Sequence, residues 1–302
     1  MDIEGRRRSE HFEDRGDGGG GLARGGLAAG LIGGAFRFFG PKGALVAAVL
    51  VGGAYFLAPA SVKQALLGTS GDEGAAQGAK VCESSGANGE ACDFSRAVLA
   101  STEDVWDDKF ANGALPAYGG GAPKQYPKPT LVVFSRSVST GGCGDATSAT
   151  GPFYCPADNK LYIDPSFYDT LAKRLKSPGD FAQAFVLAHE VGHHVQKVIG
   201  SLSKRVRGET KEQMSVRAEL QADCFAGVWG HSARADLSIT DEDLDEALQA
   251  AHAIGDDALG HTDESKFSHG SSKQRVHWFH RGFDSGDPRK CDTYAVDDHG
   301  DL

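Results

Sequence analysis

Basic residues are in deficit in this chain, and its cysteines never stand as a CxxC pair. Lys and Arg number 31 against 41 Asp and Glu, for a formal net charge of −10. The basic footprint of a general nucleic-acid binder is therefore missing, and no nucleic acid is expected as a partner. The cysteine spacing excludes a zinc ribbon. No segment repeats, which excludes a repeat array. Only one long apolar run occurs, Gly43–Ala60, so the chain is not built from many membrane spans.

What is present reads as a folded domain behind an unusual N-terminus. Hydrophobic residues make up 40% and charged residues 24% of 302 positions, ordinary for a globular protein. Residues 1–41 are rich in glycine and arginine, including GDGGGG at 16–21, and are expected to be a disordered cytoplasmic leader. The uncharged run that follows predicts a transmembrane anchor over 42–60. Arginines upstream of it place the N-terminus on the cytoplasmic side. Cleavage as a signal peptide is the other option, since Ala58-Pro59-Ala60 has small residues at suitable spacing. Residues 61–80 read as a linker, and 81–302 as the folded domain, periplasmic or extracellular at a bacterial cell membrane.

The six cysteines all follow the apolar run. In an oxidising compartment they read as three disulfides. Proximity favours Cys82–Cys92 and Cys143–Cys155, leaving Cys224–Cys291, although six cysteines allow about fifteen connectivities.

Within the domain, Phe94–Phe110 has a helical pattern, while Thr130–Ser135 and Lys160–Asp164 read as short strands. Ser177 with Asp180, Thr210 with Gln213 and Thr240 with Asp243 are three helix starts. The first helix carries Phe181, Phe185, Ala188, Gly192, Val195 and Ile199 on one face and stops at Gly200. The second stops near Gly230 and the third at Gly255. This order predicts an α+β domain with a helical catalytic half.

The first of these helices contains His189-Glu190-Val191-Gly192-His193. Positions i and i+4 lie about 40° apart around a helix, so both imidazoles point the same way and can hold one Zn2+. Glu190 stands beside them as the candidate base for a zinc-bound water. A catalytic zinc takes a third protein ligand and keeps one position open. A metzincin would supply it with a histidine at 199, but Gln196 and Ile199 occupy the relevant places. The next helix offers Glu219 and Asp223 on one face. Glu219 is assigned to the metal and Asp223 to orienting an imidazole; the reverse assignment is the alternative. His194, His231, His252, His261, His277 and His280 lack ligand spacing.

Five blocks carry a resemblance: MDIEGRRRSEHFEDRG at the start, GPFYCPADNKLYID from Gly151, AHEVGHHVQ from Ala188, RAELQADCFAGVWGHSA from Arg217, and FSHGSSKQRVHWFHRGFDSGDPRKCDTY from Phe267. With the apolar run between them, they resemble the bacterial family of neutral zinc metallopeptidases over nearly the whole chain. The resemblance implies a single-pass anchor and a zincin-like peptidase domain. HExxH with ExxxD is also similar to the CAAX prenyl endopeptidases, in which the second motif's glutamate binds zinc. Their later histidine, followed by an arginine six residues on, helps stabilise the oxyanion. His269 and Arg275 match that spacing, which implies an oxyanion role for His269 and a supporting role for Arg275. The chain departs from that pattern at Gly270, where those enzymes have proline. Backbone or tyrosine groups are alternative donors. The expected activity is hydrolysis of protein or peptide substrates. A non-catalytic zinc scaffold and a hydrolase of non-peptide amides are the alternatives.

Overall fold

The computed structural model describes residues 1–17, 79–83, 86–116, 118 and 122–302. Met1–Gly16 and Lys80–Leu302 form one compact unit. The other unit, Asp17–Ala79, lies almost wholly outside the described residues, as does the expected anchor. Among the described residues no helix is long and apolar enough to cross a membrane.

In chain order the elements are β1 (Phe12–Asp17), α1 (Ala87–Ala111), β2 (Thr130–Ser135), β3 (Ser137–Ser139), β4 (Asp145–Thr147), β5 (Phe153–Cys155), β6 (Lys160–Ile163), α2 (Ser166–Lys173), α3 (Asp180–Ile199), α4 (Lys211–Ala233), α5 (Asp241–Ala253) and α6 (Ser272–Ser285). The architecture is mixed α+β, with the helices concentrated in the C-terminal half. One sheet has the order β1-β2-β6-β5, and β3 and β4 form a separate hairpin. β2 and β6 run parallel, and β5 pairs antiparallel with β6.

Side chains alternate across a strand, which explains why the run in β2 is apolar throughout. Leu131 and Val133 join the main helical core, while Val132 and Phe134 join a second cluster with Val138, Ala146 and Tyr162. Both faces of the strand are covered. All three expected disulfides are present, Cys82–Cys92, Cys143–Cys155 and Cys224–Cys291. The last ties α4 to the C-terminal segment.

α3 is buried on nearly every side, from Phe181 to Ile199. It lies at the centre of the helical half, against α4 and α5, and ends at Gly200 in a left-handed conformation that glycine takes without strain. Its start differs from the expectation. Ser177 donates to the carbonyl of Leu175, and α3 begins at Asp180 after Gly179. Glu246 of α5 accepts from the backbone N–H of Phe181, doing what a local cap would have done. The boxes at Thr210/Gln213 and Thr240/Asp243 form as expected. α4 and α6 touch backbone to backbone, because a Cβ at Gly282 would lie 1.9 Å from the carbonyl of Cys224 and one at Gly227 2.1 Å from that of Phe279.

The leader expectation fails for residues 1–17. They pack on the domain, and β1 extends its sheet beside β2. The arginines that read as solvated leader are held by acids of α1: Arg8 by Asp93 at 2.6 Å, Arg7 by Asp104 at 2.7 Å. Glu103, fully buried in α1, takes its three hydrogen bonds from Arg7, Ser9 and His11. Composition suggested disorder; specific charge pairing supplies the ordering. A chain that crossed a bilayer once between residues 17 and 80 would hold these partners on opposite faces.

A chain cut to residues 61–302 would lose β1, uncover the edge of β2 and strip Glu103 of those partners. Its stability is expected to fall by about 3 kcal/mol or more, the scale of breaking a buried ion pair. Thermal denaturation beside the full chain measures this; equal melting temperatures would mean that the segment contributes nothing.

Candidate metal centre

The site is assembled where α3 and α4 press together. A Cβ at Gly192 would meet the carbonyl oxygen of Ala222 at 2.9 Å and its Cα at 3.0 Å. A bare glycine between the two histidines lets α4 approach closely enough to bring Glu219 to them. Glu219 Oε2 lies 3.2 Å from His189 Nε2, and Oε1 lies 3.4 Å from His193 Nε2. The three residues form a cluster with one donor atom from each within 4.8 Å of the others.

Both imidazoles are fixed from behind. His189 Nδ1 donates to Asp223 Oδ1 at 2.8 Å, and His193 Nδ1 donates to Gln196 Oε1 at 2.8 Å. With Nδ1 protonated in each ring, both Nε2 lone pairs are free to face Glu219. Gln196 is itself held, donating to the carbonyl of Ala218 and to Gln221. Asp223 is fully buried, and Arg275 from α6 grips both of its oxygens at 2.8 Å. That occupancy leaves no Asp223 oxygen directed at the cluster, so the geometry favours Glu219 as the third donor over the reverse assignment.

Electrostatics suit a cation. Burial alone would push the Glu219 carboxyl up, but the two facing imidazoles outweigh it and hold Glu219 well below the usual carboxylate range. Burial pulls His189 down, yet Asp223 and Glu219 more than offset this and raise it to about 10. Surroundings that favour positive charge on these imidazoles would equally favour a divalent cation between them and Glu219. The spacing also fits zinc. Two donors each about 2.1 Å from a tetrahedral zinc stand roughly 3.4 Å apart, matching the distances above.

Glu190 lines the same cavity, of about 420 Å³, together with Tyr154 of β5, His269 and Arg275. Burial pushes its carboxyl up; His193, His189 and the backbone N–H of Tyr154 pull it down, and burial prevails. A larger cavity of about 720 Å³ between His231 and Phe283 holds no comparable cluster of donors. The acids Asp180, Asp243 and Glu246 also lie close together. Asp180 and Asp243 face the amino group of Met1, at 3.3 and 2.8 Å, and Glu246 caps α3.

His269 is half exposed at the cavity, its Nδ1 3.1 Å from Asp256 Oδ1. Asp256 escaped the sequence reading. Its buried carboxylate also accepts the backbone N–H groups of Ser268, His269 and Gly270. Gln196 and Tyr154 escaped it too, and a glutamine three positions after the second histidine was the one legible signal. His194 packs as a buried polar residue, bonded to the Tyr154 hydroxyl at 2.9 Å, and burial lowers it to about 4. β2 and β6 are interior strands without free edges, whereas β5 is the sheet edge that lines the cavity.

Comparison with known proteins identifies the family. The family described as "Putative neutral zinc metallopeptidase" matches residues 1–294. The chain belongs to this family. The match runs through the docked segment before β1 as well as the metal cluster, so this zinc metallopeptidase family is matched over both parts of the folded unit. "Uncharacterized protein YpfJ" of Escherichia coli K12 is 42% identical over 308 residues, covering 98% of this chain and 99% of the relative. "Uncharacterized protein Rv2575" of Mycobacterium tuberculosis H37Rv is 42% identical over 192 residues, covering 58% and 65%. No solved structure matches the chain.

Proposed function

We propose that the chain is a zinc-dependent peptidase that hydrolyses peptide bonds in protein or peptide substrates. The observation that carries this reading is the two-histidine, one-glutamate cluster with a further carboxylate, Glu190, outside the cluster in the same cavity at a sheet edge. A purely structural zinc site gains nothing from such a base, and it usually closes with a fourth protein ligand.

His189, His193 and Glu219 would hold the ion. Zinc bound there supplies Lewis acidity, polarising the scissile carbonyl and making water acidic enough to attack near neutral pH. Glu190 takes the proton from the attacking water and returns it to the leaving amine, and a carboxyl raised by burial suits that exchange. Asp223 and Gln196 keep both imidazoles in the tautomer that presents Nε2. Arg275 balances the buried charge of Asp223. His269, steadied by Asp256, faces the oxyanion developing on the substrate. The free edge of β5 pairs with an extended substrate strand.

The test is cleavage of a denatured protein by the purified full chain, stripped of metal and then reloaded. Hydrolysis is expected to vanish on chelation and to return with about one equivalent of zinc per chain. A zinc-loaded, folded chain that cuts no substrate, blocked or free, would overturn the proposal in favour of a zinc-holding scaffold.

A further inference from the structure

Leu259 is the only large apolar side chain left exposed among the described residues, at 49%. It sits on the wall of the metal cavity, in the loop between α5 and α6. The loop is pinned, so its apolar tip is presented and not merely loose. Its own turn is closed by Leu259 N–H to the carbonyl of Gly255 at 3.0 Å and His261 N–H to that of Asp256 at 2.9 Å. Asp257 fastens it to the start of α6, accepting from both the backbone N–H and the hydroxyl of Ser272 at 2.7 Å.

Ile254, Val186 and Phe167 line the same cavity, giving it an apolar portion beside the charged centre. The charged lining groups all have a task in the peptidase reading. Arg275 is spent on Asp223, His269 is held by Asp256 at the oxyanion position, and the others form the metal cluster and its base. Among the described residues that line the cavity, none is left to receive a terminal ammonium or carboxylate of a short peptide.

Resting on the peptidase reading above, we infer that the enzyme cuts within extended chains and that Leu259, with Ile254, Val186 and Phe167, seats an apolar side chain next to the scissile bond. Leu259 is a specificity-determining residue in this account.

The test uses the zinc-loaded full chain and a library of decapeptides acetylated at one end and amidated at the other. Cleavage positions are read by mass spectrometry. Leu, Ile, Phe or Met is expected to be favoured over Asp or Glu at one position flanking the cut by about tenfold or more, within the range that apolar pockets achieve. Leu259→Asp should bring that ratio close to one, and Leu259→Met should retain it. Because the side chain is exposed, both variants should melt like the wild type. Freeing the peptide ends should not raise the rate. An unchanged preference in Leu259→Asp, or faster cutting of free-ended peptides at their termini, would overturn the inference while leaving a peptidase. Failure of the wild type to cut any peptide would overturn the peptidase reading, and this inference with it.

Discussion

Glu190→Gln is expected to leave zinc binding intact and to reduce hydrolysis by about 10²- to 10⁴-fold, the contribution of a positioned proton-transfer group. The substitution changes little else. Glutamine has the same shape, and its carbonyl oxygen can still accept a hydrogen bond where the carboxylate would. Glu190 is not part of the donor cluster of His189, His193 and Glu219. What disappears is the capacity to take a proton from water and give it to the amine. Metal content by elemental analysis, melting temperature and turnover should be measured on one preparation. Turnover within about tenfold of wild type, with zinc retained, would remove Glu190 from the mechanism. Loss of zinc would show instead that the carboxylate helps hold the metal.

Much of the centre was legible in the sequence because helical spacing is a short-range rule. His189 and His193 share a face wherever α3 packs, and Glu219 with Asp223 repeats that geometry on α4. Which acid faces the two Nε2 atoms is set by a long-range contact. Arg275, far along the chain on α6, claims both oxygens of Asp223, and α6 lies close to α4 where Gly227 and Gly282 leave room for its backbone. β5 was illegible for a different reason. It has three residues, too few to show alternation, and its place at the sheet edge is a property of topology. The docking of residues 1–17 was misread because glycine and arginine content described the leader as a solvated chain. Composition cannot register that Arg7, Arg8 and His11 have acidic partners waiting on α1. Asp256 offered no local signal at all, since its ligands are backbone N–H groups twelve or more positions away.

The Asp223–Arg275 pair should separate what holds the fold from what holds the metal. Asp223→Ala leaves a guanidinium buried to 2% exposure without its counter-charge, and stability should fall by about 3–5 kcal/mol. The same change frees His189 Nδ1, and zinc affinity should fall by about 10- to 100-fold. Arg275→Met alone should also destabilise, because it strands a buried carboxylate, while leaving the Asp223–His189 bond in place. In the double variant no unpaired charge remains. Replacing a buried ion pair by apolar groups is often close to neutral for stability, so the double variant should be more stable than Asp223→Ala. Its zinc affinity should not recover, since the partner of His189 is still missing. Denaturant unfolding of the metal-free chains and zinc titration with a competing chelator measure the two quantities independently. If stability and affinity were restored together, Asp223 would be acting only through the fold; if neither were restored, the pair would not be the source of the stability loss. Recovery of stability alone is the outcome that assigns Asp223 to orienting His189 and Arg275 to making that buried carboxylate tolerable.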